Sequence, residues 1–194
     1  MLEFSILYLL DFASLAECEH LRGLIDRIVK PHSLAPKNLR TNAAGVAWLT
    51  ELNDSTVQSI DARFAKAIGV APELSEGSQG QRYEVGDYYA EHYDAFEPSY
   101  PECARHLEER GQRTFTATLY LNSMAQGGEL KFPGLGVIIR PRAGLAVVWY
   151  NLNRAGEPHP LSVHSASPPL MGRKYILSCW FRERRMPLER GASA

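Results

Sequence analysis

The chain has 194 residues, which is enough for one domain with a sizeable core. Its hydrophobic content of 45% and charged content of 22% are those of an ordinary globular protein, and 21 basic and 22 acidic residues leave a net charge of −1. This balance gives no electrostatic basis for binding nucleic acid or a membrane surface, and we interpret the short cluster of Arg182, Arg184 and Arg185 as a solvated tail.

Residues 1–10 are apolar but carry no basic segment, and Asp11 follows at once, so we expect neither a secretory signal nor a membrane span. The three cysteines, Cys18, Cys103 and Cys179, are odd in number and far apart. They match neither a disulfide framework nor a zinc signature. These features predict a reducing, cytoplasmic compartment.

Two helices are predicted near the start of the chain. Ser14 and Glu17 have the spacing of a capping box, and apolar residues then recur with helical period up to Ile28. A second helix is predicted from about Ser55, with an apolar face formed by Val57, Ile60, Phe64 and Ile68. We expect both helices to support a sheet that carries the chemistry.

From Gln81 onward, short β-rich runs alternate with turns that contain glycine and proline. The predicted strands are Tyr83–Tyr89, Thr114–Leu121, Val137–Ile139, Leu145–Tyr150, Ser162–Ser165 and Lys174–Phe181. The pattern predicts an α+β, mainly β fold: a double-stranded β-helix (jelly roll) buttressed by N-terminal helices. We expect one domain over residues 1–194, with helical support at about 14–70 and a jelly-roll core at about 80–184.

The most informative chemical pattern is His92-Tyr93-Asp94, followed by His164 and, ten residues later, by Lys174. Two imidazoles and one carboxylate form the facial triad that holds Fe(II) on one side and leaves the other side open. If residues 92–94 are extended, the side chains of His92 and Asp94 leave the same face of the chain and can reach one ion.

The third ligand must come from elsewhere in the fold, and the remaining histidines are His20, His32, His106, His159 and His164. The first two lie in or beside the first helix, His106 lies in a charged, helix-like stretch, and His159 lies between two prolines. Only His164 lies in a β-like segment that leads to a strand with an inward cation. We therefore predict His92, Asp94 and His164 as ligands, although the same set could hold Zn(II) or Mn(II).

Lys174 begins a predicted strand, on which it shares a face with Ile176, Ser178 and Trp180. A buried ammonium without a partner costs several kcal/mol, so an inward Lys174 implies an anionic ligand. We expect this ligand to be the distal carboxylate of 2-oxoglutarate, whose 2-oxo acid group, together with O2, would fill the open positions on the metal.

The predicted strand Thr114–Leu121 has hydroxyl groups on one face and hydrocarbon side chains on the other. Such a strand forms either the wall of a polar cavity or a solvent-facing sheet surface, which threonine also favours. Beside an inward Lys174 we favour the cavity wall, with Tyr120 and Thr116 donating hydrogen bonds to 2-oxoglutarate.

These residues resemble the prolyl 4-hydroxylase branch of the Fe(II)/2-oxoglutarate-dependent dioxygenases. The resemblance covers nearly the whole chain, through residues 9–18, 39–41, 82–94, 118–122, 127–130, 132–133 and 164–180. It implies a distorted jelly roll, the metal and cosubstrate sites described above, Tyr83 as a further residue of the cosubstrate pocket, and a dependence on ascorbate.

The resemblance also implies a substrate groove, for which the matching residues are Arg40, Glu76, Tyr89, Arg113 and Trp180. Three features depart from the family pattern: Arg182 replaces a frequent histidine, Tyr175 replaces a frequent tryptophan, and the sequence after His164 is Ser-Ala-Ser-Pro-Pro. None of these departures involves a predicted ligand, so they affect the substrate and not the cofactors.

The function that follows is hydroxylation of an unactivated C–H bond, with succinate and CO2 as coproducts. A prolyl residue in a peptide or protein is the first candidate substrate. A free amino acid or small metabolite is an alternative within the same enzyme class. A catalytically inactive jelly-roll binding module is the alternative from another class, but it would be expected to have lost a ligand or Lys174, and both are present.

Overall fold

The structure is a computed structural model and describes residues 4–29, 41–42 and 45–185. The α-helices within these residues are α1 (Leu15–Ile28), α2 (Ser55–Ile68) and α3 (Pro101–Arg110). The strands are β1 (Ile6–Leu9), β2 (Thr41–Asn42), β3 (Gly45–Trp48), β4 (Ser75–Tyr83), β5 (Tyr88–His92), β6 (Arg113–Tyr120), β7 (Leu130–Phe132), β8 (Val137–Ile139), β9 (Ala146–Tyr150), β10 (His164–Ala166) and β11 (Lys174–Arg182).

The strands form two antiparallel sheets. The larger sheet has the order β1-β9-β6-β11-β4-β3, and the smaller sheet has the order β2-β5-β10-β7-β8. Apart from the pairs β3-β4 and β7-β8, neighbouring strands are not consecutive in the sequence. Between the two sheets lies an apolar cluster that includes Phe132, Trp149 and Ile176. This arrangement confirms the predicted jelly roll.

The N-terminal helices cover the outer face of the larger sheet, as predicted. α1 begins with the expected capping box, in which the Ser14 hydroxyl accepts from the Glu17 amide and the Glu17 carboxylate accepts from the Ser14 amide. The apolar faces of α1 and α2 pack in one cluster with residues on this outer face of the sheet, such as Leu119 and Leu177. No helix in the described part of the chain is long and apolar enough to cross a membrane.

The two central strands of the larger sheet have the two-faced character that the sequence predicts. On β6, Ala117 and Leu119 face the helices, whereas Thr116, Thr118 and Tyr120 line a cavity between the sheets. The cavity-facing residues of β11 are Lys174, Ile176, Ser178 and Trp180. Because Thr116 and Thr118 are both buried, their hydroxyl face is a cavity wall and not a solvent-facing surface.

Two predicted strands are wrong in their bounds. The segment predicted as Tyr83–Tyr89 contains a turn, in which the amide of Asp87 donates to the carbonyl of Glu84 and Gly86 has a φ of 89°. This turn separates β4 from β5. The segment predicted as Ser162–Ser165 begins with a 3-10 turn at Pro160–Ser162, and its strand starts only at His164.

Further elements lie outside the predicted set. β1 lies before the part of the chain assigned to helical support, and β2 and β3 lie within it. β4 begins at Ser75, ahead of the expected β-rich region, and β7 was not predicted. The interpretation of Arg182 as part of a solvated tail is also wrong. It is the last residue of β11 and is only 4% exposed.

Candidate functional site

Two neighbouring strands of the smaller sheet bring the predicted metal ligands together. His92 ends β5, His164 begins β10, and the two residues are directly opposite each other in the antiparallel pairing. Asp94 follows two residues after His92, just beyond the end of its strand. The ligand atoms of His92, Asp94 and His164 lie within 4.8 Å of one another.

Backbone carbonyl groups fix the orientation of both imidazole rings. Nδ1 of His92 donates to the carbonyl of Ala90 at 2.8 Å, and Nδ1 of His164 donates to the carbonyl of Ser162 at 2.9 Å. The free Nε2 atoms then face the Asp94 carboxylate at 3.5 Å and 3.7 Å, respectively. This is the usual way in which a protein sets the tautomer and direction of metal-binding histidines.

The geometry and ionisation of the triad fit a divalent metal ion. Ligand atoms at right angles around an ion, at roughly 2.1 Å from it, lie about 3 Å apart; the distances of 3.5 Å and 3.7 Å between the imidazole nitrogens and the Asp94 carboxylate are somewhat longer than this. Burial alone raises the pKa of Asp94, but the nearby His164, His92 and Arg113 outweigh it and hold this pKa well below its usual range. Burial lowers the pKa of His164 to about 4, so its imidazole is neutral and Asp94 is ionised at neutral pH, as metal binding requires.

The Asp94 carboxylate has a support that the sequence did not reveal. Its Oδ2 accepts a hydrogen bond of 2.7 Å from the hydroxyl of Thr116, and this hydroxyl accepts one of 2.9 Å from Nδ2 of Asn151. The sequence predicts Thr116 as a donor to the cosubstrate, but in the structure its hydroxyl donates to Asp94. Asn151 was not predicted at all.

Lys174 lies inside the cavity, as predicted, and is only 2% exposed. Its ammonium donates to the carbonyl of Gly128 at 3.2 Å and lies 3.9 Å from the centre of the Tyr83 ring. No described carboxylate forms a salt bridge with it. Burial lowers the pKa of Lys174 to about 7, which expresses the cost of a buried cation without an anionic partner.

The two predicted tyrosines of the cosubstrate pocket are also in this cavity. Tyr120 is 1% exposed, and its hydroxyl has no hydrogen-bond partner among the described residues. Burial raises the pKa of Tyr120, so the hydroxyl keeps its proton and remains a donor. The hydroxyl of Tyr83 donates to Gln81, and its ring packs against the Lys174 ammonium.

A single cavity of about 350 Å³ joins these groups. It lies between the sheets and contains the triad, the Lys174 ammonium and the Tyr120 hydroxyl. Trp48 and Gln79, on the adjacent strands β3 and β4, line it as well. Neither was predicted, because β3 and the first part of β4 were not recognised as strands.

The predicted substrate residues fall into three groups. Tyr89, Arg113 and Trp180 line the cavity, and the ring of Tyr89 lies 4.0 Å from that of His92. Glu76 holds Arg113 through bonds of 2.9 Å and 2.7 Å, one to each carboxylate oxygen, so its oxygens are already engaged. Arg40 lies outside the described residues.

Arg182 belongs to the same buried ion-pair network. Its guanidinium donates to Glu76 at 3.0 Å and to the carbonyl groups of Gly111 and His106 near the C-terminal end of α3. Arg113 in turn lies over the indole of Trp180, 4.4 Å from its centre. The indole Nε1 is buried and has no partner among the described residues. The departure at residue 182 therefore places a cation behind the wall of the cavity that Arg113 and Trp180 form.

Known proteins with similar sequences include prolyl 4-hydroxylases, the group that the sequence resembles. The candidate prolyl 4-hydroxylase of Acanthamoeba polyphaga mimivirus is 34% identical over 150 residues, which are 77% of this chain and 61% of that protein. The mouse prolyl 4-hydroxylase subunit alpha-1 is 31% identical over 186 residues, which are 93% of this chain and 35% of the subunit. The chain thus spans less than two thirds of the length of these relatives.

A similar fold is found in the crystal structure of the viral collagen prolyl hydroxylase of Paramecium Bursaria Chlorella virus-1 in its 2OG complex. The TM-score is 0.72 at 23% identity, and the match covers 91% of this chain and 95% of that structure. The family model of the 2OG-Fe(II) oxygenase superfamily matches residues 78–182, which contain the triad and Lys174. The chain belongs to the 2OG-Fe(II) oxygenase superfamily.

Proposed function

We propose that this protein is an Fe(II)- and 2-oxoglutarate-dependent dioxygenase that hydroxylates a prolyl residue in a peptide or protein. His92, Asp94 and His164 would hold the iron, and Lys174, Tyr120 and Tyr83 would form the cosubstrate pocket. Tyr89, Arg113 and Trp180 would contact the substrate, and Arg40 and Glu76 are the remaining candidates for the groove. A requirement for ascorbate stays a prediction from the family resemblance.

The observation that carries this proposal is that two buried polar groups in the cavity each lack a matching partner among the described residues. Among the described residues, the buried Lys174 ammonium has no carboxylate partner and the buried Tyr120 hydroxyl has no acceptor, and both residues line the cavity that contains the triad. Each of them costs free energy while it lacks a partner. The distal carboxylate of 2-oxoglutarate would satisfy both groups at once, through charge-assisted hydrogen bonds.

The protein contributes geometry and exclusion of water to the reaction. Bound Fe(II) would supply the activation of O2 that is coupled to decarboxylation of 2-oxoglutarate. The carbonyl groups of Ala90 and Ser162 hold the two imidazoles in the metal-binding tautomer. Buried aromatic rings, such as Trp149 against His164, close the inner side of the site to water.

A turnover assay without added substrate tests the cofactor part of this proposal. Protein loaded with Fe(II) and exposed to air should convert 2-oxoglutarate slowly to succinate, which can be followed by NMR. His92→Ala and Asp94→Ala should each abolish the conversion. His20→Ala, which changes a histidine on the outer helix α1, is the matched control and should convert 2-oxoglutarate like the wild type. Unchanged turnover in both triad variants would contradict the metal assignment.

Mass analysis of products tests the substrate part. A proline-rich peptide should gain the mass of one oxygen atom, with succinate formed in equal amount, whereas free proline should remain unchanged. Hydroxylation of free proline but not of the peptide would instead favour a free amino acid or small metabolite. One observation supports that alternative: both oxygens of Glu76 already accept bonds from arginines and are less available for a substrate amide.

A further inference from the structure

A chain of buried hydrogen bonds behind the triad has a defined direction. An amide nitrogen can only donate, so Nδ2 of Asn151 donates to the Thr116 hydroxyl oxygen, and the Thr116 hydroxyl proton is left for Asp94 Oδ2. Asn151 is 0% exposed and Thr116 is 1% exposed. Both bonds are therefore shielded from bulk water.

This chain of bonds distinguishes the two oxygens of Asp94. Oδ2 lies 3.7 Å from Nε2 of His164 and accepts the hydrogen bond from Thr116, whereas Oδ1 lies 3.5 Å from Nε2 of His92. Both oxygens are thus near the place where a metal would bind. The Thr116 hydroxyl bonds to Oδ2 and leaves Oδ1 available to the metal.

We propose that Thr116 and Asn151 are positioning residues that keep Asp94 a monodentate ligand. This inference rests on the proposed iron site. Carboxylates bind metals through either one or two oxygens, and an octahedral ion with three protein ligands keeps three open positions. A bidentate 2-oxo acid together with O2 needs all three. A second bond from Asp94 would remove one of them.

The position of Asn151 is itself fixed by the segment that carries His164. The backbone amide of Asn151 donates to the backbone carbonyl of Thr114 at 2.8 Å, and the backbone carbonyl of Asn151 accepts from the backbone amide of His159 at 2.8 Å. Ser162, whose carbonyl orients the His164 ring, donates its hydroxyl to the carbonyl of His159 at 2.7 Å, and this hydroxyl oxygen lies 3.4 Å from the Asn151 carbonyl. The supports of two metal ligands are therefore connected through one residue, so the relative placement of Asp94 and His164 depends on Asn151.

Mn(II) is a suitable probe for this arrangement, because the number of its bound water molecules can be measured from the effect of ¹⁷O-water on its EPR spectrum. Thr116→Val keeps the side-chain shape and removes the hydroxyl. This variant should bind Mn(II) with one fewer water molecule than the wild type, and the affinity of the Mn(II)-loaded protein for 2-oxoglutarate, measured by calorimetry, should fall about ten-fold or more.

Two further variants separate positioning from general packing. Thr116→Ser keeps the hydroxyl and should restore the wild-type water count and affinity. Thr114→Val makes the same change on the same strand, but that hydroxyl donates to the carbonyl of Phe181 and lies outside the cavity. Because its hydroxyl lies outside the cavity, Thr114→Val should match the wild type in both measurements. A purely structural defect would not alter the water count.

If Thr116→Val does not fold, Asn151→Ala provides the same test, since it removes the donor that fixes the Thr116 hydroxyl. Its effects should have the same direction and be smaller. A wild-type water count and wild-type 2-oxoglutarate affinity in the folded variant would overturn the inference alone. Failure of the wild-type protein to bind Mn(II) at all would overturn both the inference and the proposed metal site.

Discussion

Lys174→Met should make the protein more stable without 2-oxoglutarate, while greatly weakening its binding of this cosubstrate. Lys174 is 2% exposed, and burial lowers its pKa from 10.5 to about 7. At 1.36 kcal/mol per pKa unit, this shift corresponds to about 5 kcal/mol of destabilisation at pH 7. The contact of the ammonium with the Tyr83 ring offsets about 1–2 kcal/mol. Replacement by methionine should therefore gain on the order of 3 kcal/mol.

The gain should depend on pH in a defined direction. Between pH 7 and pH 10.5 the unfolded chain holds the Lys174 proton more tightly than the folded chain, so wild-type stability rises with pH across this window. The difference between the variant and the wild type should consequently shrink from pH 7 upward and vanish near pH 10.5.

Thermal unfolding followed by fluorescence, at several pH values and with and without 2-oxoglutarate, measures both effects. The melting temperature of Lys174→Met should exceed that of the wild type by roughly 5–10 °C at pH 7 without ligand. Added 2-oxoglutarate, with the metal present, should stabilise the wild type much more than the variant. A variant that is less stable than the wild type without ligand, or a difference that does not change with pH, would refute the reasoning.

Three further variants test individual contacts. Tyr120→Phe removes a buried hydroxyl that has no partner among the described residues; calorimetry should show about ten-fold weaker binding of 2-oxoglutarate, and urea unfolding should show no loss of stability without it. Burial raises the pKa of Asp61 to about 6, so the wild type loses stability as the pH rises from about 4 through 6. Asp61→Asn should therefore stabilise the protein at pH 8 by on the order of 2 kcal/mol. An equally large stabilisation at pH 4 would contradict this cause. Arg182→Met should lower the free energy of unfolding by about 3 kcal/mol, because it removes one partner of the buried Glu76. An unchanged free energy of unfolding in urea would contradict this and show that Arg113 alone satisfies the Glu76 carboxylate.

The parts of the fold that follow local periodicity could be predicted from the sequence. The two faces of β6 and β11 follow from alternation of side chains along a strand, and α1 and α2 follow from capping residues and apolar period. The ligand set could be predicted because His92 and Asp94 are close in sequence and because few histidines lie in β-like segments. In each case the signal lies within a short stretch of chain.

The parts that depend on distant partners could not be predicted. β1 is an apolar run whose pairing with β9 joins residues such as Leu7 and Val148, and nothing near Leu7 indicates that partner. Arg182 belongs to a basic cluster in the sequence, and only the fold places Glu76 beside it. Asn151 is likewise an ordinary turn residue until β6 and β9 pair and bring it to Thr116. The turn at residues 84–87 is different, because Gly86 and Asp87 were a local signal for it.

An anaerobic titration tests the central claim, that the triad and Lys174 together form one site for iron and 2-oxoglutarate. Fe(II) added to the wild-type protein with 2-oxoglutarate should give the visible absorption band of the chelated cosubstrate, saturating at one equivalent of iron. The band should be absent from Asp94→Ala and should require a much higher 2-oxoglutarate concentration in Lys174→Met. No band in the wild-type protein, or a band with the same 2-oxoglutarate dependence in Lys174→Met, would contradict the account.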